Sequence, residues 1–161
     1  MYKQIIVPLD GSTLAECVLP HVESIATGCG TASVTFVRVV EPLHLAMTAD
    51  PDAGYTFSAK DWQRMEDEQK AAATNYLSRL SAKVKYNNVK VTTEVLYGKA
   101  ADTIADYADK GTYDLILIAT HGRSGVSRWV WGSVADRILR SACVPVLMVR
   151  APGCGPDVKL A

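Results

Sequence analysis

The sequence predicts a doubly wound α/β domain, in which a parallel β-sheet carries helices on both faces. Short apolar runs alternate with segments of helical periodicity along the chain. The run Leu115–Ala119 (LILIA) is apolar at every position, as in a central parallel strand that is buried on both faces. Five such strands and four helices in alternation imply right-handed β-α-β crossovers. The 161 residues are enough for one domain of this kind and few for two.

The composition excludes several classes of protein. With 48% hydrophobic and 21% charged residues, the chain is too apolar to be intrinsically disordered. Its 17 basic and 17 acidic residues balance, so no net field would attract nucleic acid or an anionic membrane. No apolar run approaches the ~20 residues of a membrane span, and the first residues show no signal peptide. The sequence therefore predicts a cytoplasmic protein with neither a nucleic-acid nor a membrane partner.

The first strand and the first helix are predicted close to the amino terminus. Gln4–Leu9 (QIIVPL) is a short apolar run that leads into a turn. Thr13 and Glu16 have the spacing of a capping box, and apolar residues then recur at helical spacing as far as Gly28. Pro20 lies inside this segment and is expected to kink the helix, because proline removes a backbone donor and clashes with the preceding turn.

The second strand and the second helix are separated by a long loop. The strand is predicted at Ser33–Val40, and Glu41–Phe57 shows no clear periodicity, which is typical of a functional loop at this length. Ser58 then opens a long amphipathic helix. The apolar face of this helix is predicted to consist of Trp62, Met65, Ala72, Ala73, Tyr76, Leu77 and Leu80.

The carboxyl-terminal half is predicted to add three strands and two helices. The third strand is Val89–Leu96 and the third helix is Gly98–Lys110. After the buried fourth strand, the glycine-containing loop Thr120–Trp131 leads to a fourth helix that starts near Gly132. The last strand is Val144–Val149.

The cysteines and the end of the chain carry little functional signal. Cys17, Cys29, Cys143 and Cys154 form no CxxC pair and have no histidine at zinc-site spacing, so no metal site is predicted. Ala151–Ala161 (APGCGPDVKLA) is predicted to be a flexible tail.

Common nucleotide-binding signatures are missing from the sequence. No GxxxxGK[ST] loop is present and no GxGxxG follows a strand, which argues against P-loop and dinucleotide sites. A phospho-receiver domain would need an acidic pair after the first strand, where this chain has Asp10 alone. Ligands of doubly wound sheets bind beyond the carboxyl ends of the strands. The loops after strands one, two and four are therefore the candidate site.

The loop before the fourth helix could bind an anion. The free N–H groups of Gly132, Ser133 and Val134 and the helix dipole would favour a negative charge there. Glycines such as Gly122 also let the backbone approach a ligand closely. Taken alone, the pattern fits either a phosphate site or a tight turn.

The same segment resembles a known family. The order Ala119, two residues, Gly122, nine residues, Gly132-Ser133 is similar to G-x2-G-x9-G-[ST], the ATP-binding signature of the universal stress protein family. The opening IIVPLDGS, the run YGKAADTIADYADKGTYDLILIATHGRSG and the ending GSVADRILRSACVPVLMV resemble that family as well. On this resemblance, residues 1–150 form one universal stress protein domain.

The resemblance implies a sheet order, a ligand and a set of contacts. The order would be 3-2-1-4-5, and ATP or another adenine nucleotide would bind at the switch point. On charge grounds, and not from the resemblance, Mg²⁺ would be the companion cation of the phosphates. Pro8 and Asp10 match positions that contact adenine and ribose, and Val39 matches one whose backbone meets the adenine. Ala119 replaces the first glycine of the signature, so its methyl group would border the nucleotide. The implied contacts are Pro8, Leu9, Asp10, Val39, Ala119, Gly122, Arg123, Gly125, Gly132, Ser133 and Val134.

The last strand suggests a second copy of the chain as a partner. In the order 3-2-1-4-5, Pro145–Arg150 lies at the edge of the sheet, and its apolar side chains need to be covered. The usual dimer contact of the family is this strand, so the resemblance implies a homodimer with two-fold symmetry.

Two functions from different classes remain open. The first is an ATP-binding, dimeric switch or sensor in the stress response, with AMP or a cyclic nucleotide as a further possible ligand. No nucleophile–base pair is visible, so no catalytic residue is predicted, and slow ATP hydrolysis or autophosphorylation would need only positioned phosphates and Mg²⁺. The second is a dimeric scaffold that binds protein partners and no nucleotide, with Ala119 marking a degenerate pocket.

Overall fold

The computed structural model of the chain describes residues 2–42, 59–120 and 133–151. Within these residues, five parallel strands and four α-helices alternate along the chain. The strands are β1 (Gln4–Pro8), β2 (Ser33–Val40), β3 (Lys90–Tyr97), β4 (Leu115–Thr120) and β5 (Val146–Arg150). The helices are α1 (Leu19–Cys29), α2 (Ala59–Lys83), α3 (Ala100–Lys110) and α4 (Ser133–Ser141).

The sheet has the order β3-β2-β1-β4-β5, and every neighbouring pair is parallel. The doubly wound α/β fold and the order 3-2-1-4-5 are therefore confirmed. The central position of β1 explains its composition, because Ile5, Ile6 and Val7 are completely buried and a strand in the middle of a covered sheet has no solvent face.

The two faces of the sheet support two separate cores. Ile5 and Val7 pack in one cluster with Val22 of α1 and Leu77 of α2. Ile6 points the other way and packs in a second cluster with the helices α3 and α4. Successive side chains of a strand alternate between faces, so this division places α1 and α2 on one face and α3 and α4 on the other.

The turn after β1 differs from the predicted capping box. The backbone N–H of Ala15 donates to the Ser12 hydroxyl at 3.1 Å, and the N–H of Ser12 donates to Asp10 Oδ1 at 2.8 Å. The prediction that Thr13 and Glu16 cap this helix is wrong. The Ser12 hydroxyl, one residue closer to the strand, accepts the N–H of Ala15 instead.

Pro20 does not kink a continuous helix. The segment is divided into a 3₁₀ turn at Ala15–Val18 and the α-helix α1, so Pro20 stands in the first turn of α1. A first-turn residue has no intrahelical acceptor for its N–H, and proline therefore costs nothing at this position. The helix ends at Gly30, whose left-handed conformation (φ +60°) suits glycine.

The helix α2 buries a narrower stripe than predicted. Ala73, Leu77 and Leu80 are buried against the sheet, whereas Ala72 is exposed and lies off the apolar face. Most of the predicted loop Glu41–Phe57 lies outside the described residues.

The starts of α3 and β5 differ from the prediction for local reasons. The helix α3 starts at Ala100 and not at Gly98, because Gly98 has φ +137° and an added Cβ there would lie 2.5 Å from Thr103 Oγ1. The strand β5 starts at Val146 and not at Val144, because the N–H of Val144 donates to Asp109 Oδ1 at 3.3 Å, outside the sheet ladder.

Ala151 closes the described chain with a hydrogen bond. It is buried, and its N–H donates to the Thr120 carbonyl at 3.1 Å. The rest of the predicted tail, residues 152–161, lies outside the described residues. None of the helices described is both long and apolar enough to cross a membrane.

Candidate functional site

A cavity of about 290 Å³ lies at the carboxyl ends of β1 and β4. These two strands are neighbours in the centre of the sheet, and the chain leaves them toward opposite faces, which makes this point the topological switch. The cavity is lined by Pro8, Leu9, Asp10, Leu14, Ala15, Val37, Ala100, Ile104, Ile118, Ala119, Thr120, Val134 and Ala135.

The structure brings together five of the predicted nucleotide contacts. Pro8, Leu9 and Asp10 reach the cavity from the end of β1, Ala119 from the end of β4, and Val134 from the first turn of α4. The group from β1 is more than a hundred positions away from Ala119 and Val134 in the chain, and the two groups meet because parallel strands end at one edge of the sheet.

Val39 is not one of the residues that line the cavity. Its side chain packs in the core on the α3 side, and Val37 lines the cavity instead. The ladder between β1 and β2 ends where the N–H of Leu9 donates to the Val37 carbonyl at 2.8 Å. Alternate residues of a parallel strand address the same neighbour, so the Val39 backbone is directed toward the space beyond Leu9.

The start of α4 contributes backbone donors. The helix begins at Ser133, and both Val134 and Ala135 in its first turn line the cavity. The N–H groups of a first helical turn lack intrahelical acceptors and carry the positive end of the helix dipole. The other predicted contacts before this helix lie outside the described residues, namely Gly122, Arg123, Gly125 and Gly132.

The walls of the cavity are mostly apolar. Among its lining residues, Asp10 and Thr120 are the ones with polar side chains. Asp10 is exposed and holds its own turn through the Ser12 N–H, while Thr120 is buried at the end of β4. An apolar slot with a few polar groups at its mouth suits a flat aromatic ring that carries a polar chain.

Ala119 narrows this slot without closing it. Its position in β4 is paired in register with Val149 of β5, and its side chain contacts the core and the cavity together. The methyl group of Ala119 therefore borders the cavity, which still has a volume of about 290 Å³.

A charged cluster supports the turn that carries Asp10. The Arg38 guanidinium lies 5.4 Å from the centre of the Tyr76 ring. The other side of the guanidinium is close to Gly11, where an added Cβ would come within 3.0 Å of Nη1. Burial, together with the neighbouring carboxylates of Glu16 and Asp10, raises the pKa of the Tyr76 phenol. The Arg38 guanidinium is thus held between α2 and the turn after β1.

Sequence reasoning missed the contribution of α3. Ala100 and Ile104 in its first turns line the cavity, and the N–H of Ala100 donates to Glu41 Oε1 at 3.1 Å. The end of β2 is tied to the start of α3 in this way. A single acidic residue at the end of a strand, such as Glu41, forms no sequence motif. Its hydrogen bond to the start of α3 is visible only in the folded chain.

The comparisons with known proteins agree on one family. The model of the universal stress protein family matches residues 1–150. Universal stress protein MJ0531 of Methanocaldococcus jannaschii is 31% identical over 152 residues, which is 94% of this chain and 84% of that protein. The solved structure of protein MJ0577 from the same organism superposes with a TM-score of 0.75 at 22% identity, covering 95% of this chain and 99% of that chain.

Two further solved structures share the fold and contain adenine nucleotides. A universal stress protein in complex with cAMP has a TM-score of 0.61 at 18% identity, covering 93% of this chain and 98% of that chain. A family protein from Arabidopsis thaliana with AMP bound has a TM-score of 0.62 at 15% identity, covering 94% and 93%. The fold, the family model and the identity to MJ0531 together establish that the chain belongs to the universal stress protein family.

Proposed function

We propose that the protein binds an adenine nucleotide, ATP with Mg²⁺, in the cavity at the ends of β1 and β4 and acts as a dimeric switch in the stress response. The observation that carries the proposal is the convergence of Asp10, Ala119 and Val134 on one apolar cavity at the switch point of the sheet. The same three positions belong to the set of contacts that the family resemblance implies.

The chemistry of the cavity supports an adenine nucleotide over a purely polar ligand. The side chains of Val37, Ile104 and Ile118 offer apolar surface to the adenine ring. The Asp10 carboxylate lines the cavity, where it could accept hydrogen bonds from ribose hydroxyls. The first turn of α4 offers N–H donors to phosphate. The cAMP and AMP complexes of other family members add support for this ligand class.

A nucleotide bound in this cavity would stabilise the folded state relative to the unfolded state. A nucleotide that binds the folded chain stabilises it by RT ln(1 + [L]/Kd), about 2.7 kcal/mol at a hundredfold excess over Kd. The nucleotide would contact the ends of β1 and β4 and the starts of α3 and α4. Its binding would therefore affect elements on both faces of the sheet. The proposed activity is nucleotide binding and not rapid ATP turnover. Slow ATP hydrolysis is the most catalysis that we expect.

The proposed dimer uses the edge strand β5. This strand pairs with β4 on one side, and Leu147 is 39% exposed. An apolar edge strand is prone to pair with another strand. Pairing β5 with its own copy across a two-fold axis would pair the free backbone N–H and C=O groups of both chains. A cytoplasmic location is part of the same proposal.

Titration calorimetry tests the ligand and the site together. Mg·ATP, AMP and cAMP are each titrated into the wild-type protein and into Ala119→Leu, whose larger side chain fills part of the cavity. We expect the variant to raise the Kd of the nucleotide about tenfold or more, since overpacked side chains cannot share the space. Ala72→Leu is the matched control, because Ala72 is exposed on α2. Equal affinity of the wild type and Ala119→Leu would refute the assigned site.

The second candidate is a dimeric scaffold without a nucleotide. The alanine at position 119, where the family signature has glycine, favours this alternative, because its methyl group takes space from the cavity. Absence of binding for all three nucleotides, with the dimer intact, would select the scaffold.

A further inference from the structure

The helices α3 and α4 both begin at the cavity. Ala100 and Ile104 of α3 form one wall, and Val134 and Ala135 of α4 form the adjacent wall. The relative position of the two helices therefore sets the width of the slot and the place of the N–H groups in the first turn of α4. A small axial shift of one helix against the other would misplace these donors.

The apolar contact between the two helices is only part of what fixes this axial position, because it combines small alanines with the larger Ile104 and Ile138. Helices lock in register when large side chains of one fit between large side chains of the other. Alanines present shallow ridges, so they allow close approach and leave sliding weakly opposed. The buried residues that α3 and α4 contribute to this side of the core are Ala101, Ile104, Ala108, Ala135 and Ile138.

An ion pair joins the helices near the cavity. Arg137 of α4 contacts Asp102 of α3 through two atoms, Nε to Oδ1 at 2.9 Å and Nη2 to Oδ2 at 3.1 Å. This bidentate arrangement fixes direction as well as distance, because the guanidinium and the carboxylate are both planar. Asp102 lies two residues after Ala100, and Arg137 lies two residues after Ala135, so the pair is one helical turn or less from the cavity.

The far ends of the same two helices are held separately. Asp109 near the end of α3 accepts hydrogen bonds from the backbone N–H groups of Cys143, at 3.0 Å, and Val144, at 3.3 Å. The segment that follows α4 is thus anchored away from the cavity. Nearer the cavity, the polar contact that joins α3 to α4 within the described residues is the pair formed by Asp102 and Arg137.

We propose that Asp102 and Arg137 are positioning residues of the nucleotide site, whose ion pair sets the register of α4 over the cavity. The proposal rests on the proposed nucleotide binding and adds two residues that do not touch the ligand. Both side chains are about half exposed, so the pair contributes little to global stability. Its effect is expected in affinity, where a displaced first turn of α4 loses contacts with phosphate.

The chain offers a matched control in α4 itself. Arg140 pairs with Asp136 at 3.0 Å, within the same helix and on the surface. Removing this pair deletes a comparable surface interaction and leaves the contact between α3 and α4 intact. Arg137→Gln and Arg140→Gln can therefore be compared directly.

The test is calorimetry with Mg·ATP on the wild type, Arg137→Gln and Arg140→Gln, with the thermal midpoint measured without nucleotide. We expect Arg137→Gln to raise Kd about fivefold, which corresponds to ~1 kcal/mol, and Arg140→Gln to leave Kd unchanged. The midpoints of both variants should be close to each other. Equal affinities of the two variants, or a lowered midpoint of Arg137→Gln with unchanged Kd, would overturn the positioning role.

A double-mutant cycle separates the pair from effects of the single residues. If Asp102 and Arg137 act through each other, Asp102→Asn combined with Arg137→Gln should bind Mg·ATP no more weakly than Arg137→Gln alone. Arg137→Lys keeps the charge and should recover part of the affinity. Fully additive losses in the cycle would contradict the proposal. Failure of the wild type to bind any adenine nucleotide would instead refute the proposed function, and this role with it.

Discussion

The turn after β1 determines where the Asp10 carboxylate stands. Gly11 has φ +90°, a conformation that residues with side chains rarely adopt, and Asp10 stabilises the turn by accepting the Ser12 N–H at 2.8 Å. The guanidinium of Arg38 packs directly against Gly11 on the outside of the turn. Backbone conformation and side-chain packing thus both require glycine at this position, next to the proposed ligand.

Gly11→Ala should weaken both the fold and the site. The positive φ costs about 1–2 kcal/mol for a residue with Cβ, and the new methyl group would press on Arg38 Nη1. We expect the free energy of unfolding to fall by about that amount in urea titrations and the Kd of Mg·ATP to rise.

Gly28→Ala is the control for Gly11→Ala. Gly28 lies inside α1 with no atom within 4 Å of an added Cβ, so alanine should stabilise the helix by about 0.5–1 kcal/mol. Equal effects of the two substitutions would show that the turn does not impose the strain described.

The phenol of Tyr86 gives a prediction that depends on pH. Within residues 2–42, 59–120 and 133–151, its buried hydroxyl has no hydrogen-bond partner. Burial, and secondarily Glu23, raises the pKa of Tyr86 to about 12 from the usual value of 10.0. The unfolded chain therefore loses this proton first, and the folded state loses stability as the pH rises from about 10 to about 12.

Tyr86→Phe removes this dependence. Below pH 10 we expect the free energy of unfolding to stay equal or to rise by up to ~1 kcal/mol, because an unpaired polar atom leaves the core. Between pH 10 and 12 the variant should lose less stability than the wild type in urea titrations. Parallel pH curves for the two proteins would contradict the account of this side chain.

At the scale of elements, the two edges of the sheet differ in what they expose. The strand β3 has Lys90 and Glu94 exposed along its length, and charges on an edge discourage pairing. The strand β5 exposes Leu147 between the half-buried Val146 and Met148, and its one exposed charge, Arg150, lies at the end of the strand. This difference favours β5 as the strand that contacts a second chain.

Leu147→Glu should therefore convert a dimer into a monomer. The new carboxylates of the two chains would approach each other across the two-fold axis and would lose water on association. Tyr97→Glu is the control, since Tyr97 is 50% exposed at the end of the opposite edge strand. Light scattering at micromolar concentration checks both variants, and a dimeric Leu147→Glu protein would remove β5 from the interface.

The elements also show what the sequence could predict. The alternation of apolar runs located the five strands and four α-helices that the described residues form, because periodicity reflects burial. The starts of α1 and α3 were misplaced, since they depend on single local features. One is the Ser12 hydroxyl that accepts the Ala15 N–H, and the other is the positive φ of Gly98, which only the folded chain shows.

At the scale of the whole molecule, the sheet order creates the cavity. Since β1 and β4 are neighbours and their following segments leave to opposite faces, a cavity opens at their carboxyl ends among the described elements. Pro8, Leu9 and Asp10, which the family resemblance and the rule for strand ends place in the candidate site, line this opening. The walls were harder to predict, because an apolar residue such as Ile104 has the same helical spacing whether it faces a core or a cavity.

The most direct measurement asks whether the protein carries its ligand when it is isolated. The chain is purified without added nucleotide and denatured, and the released small molecules are separated by ion-exchange chromatography with mass detection. The account predicts ATP or another adenine nucleotide in near-stoichiometric amount from the wild type, and a strongly reduced amount from Ala119→Leu. An empty wild-type protein that also fails to bind Mg·ATP in calorimetry would contradict the central claim and would leave the dimeric scaffold.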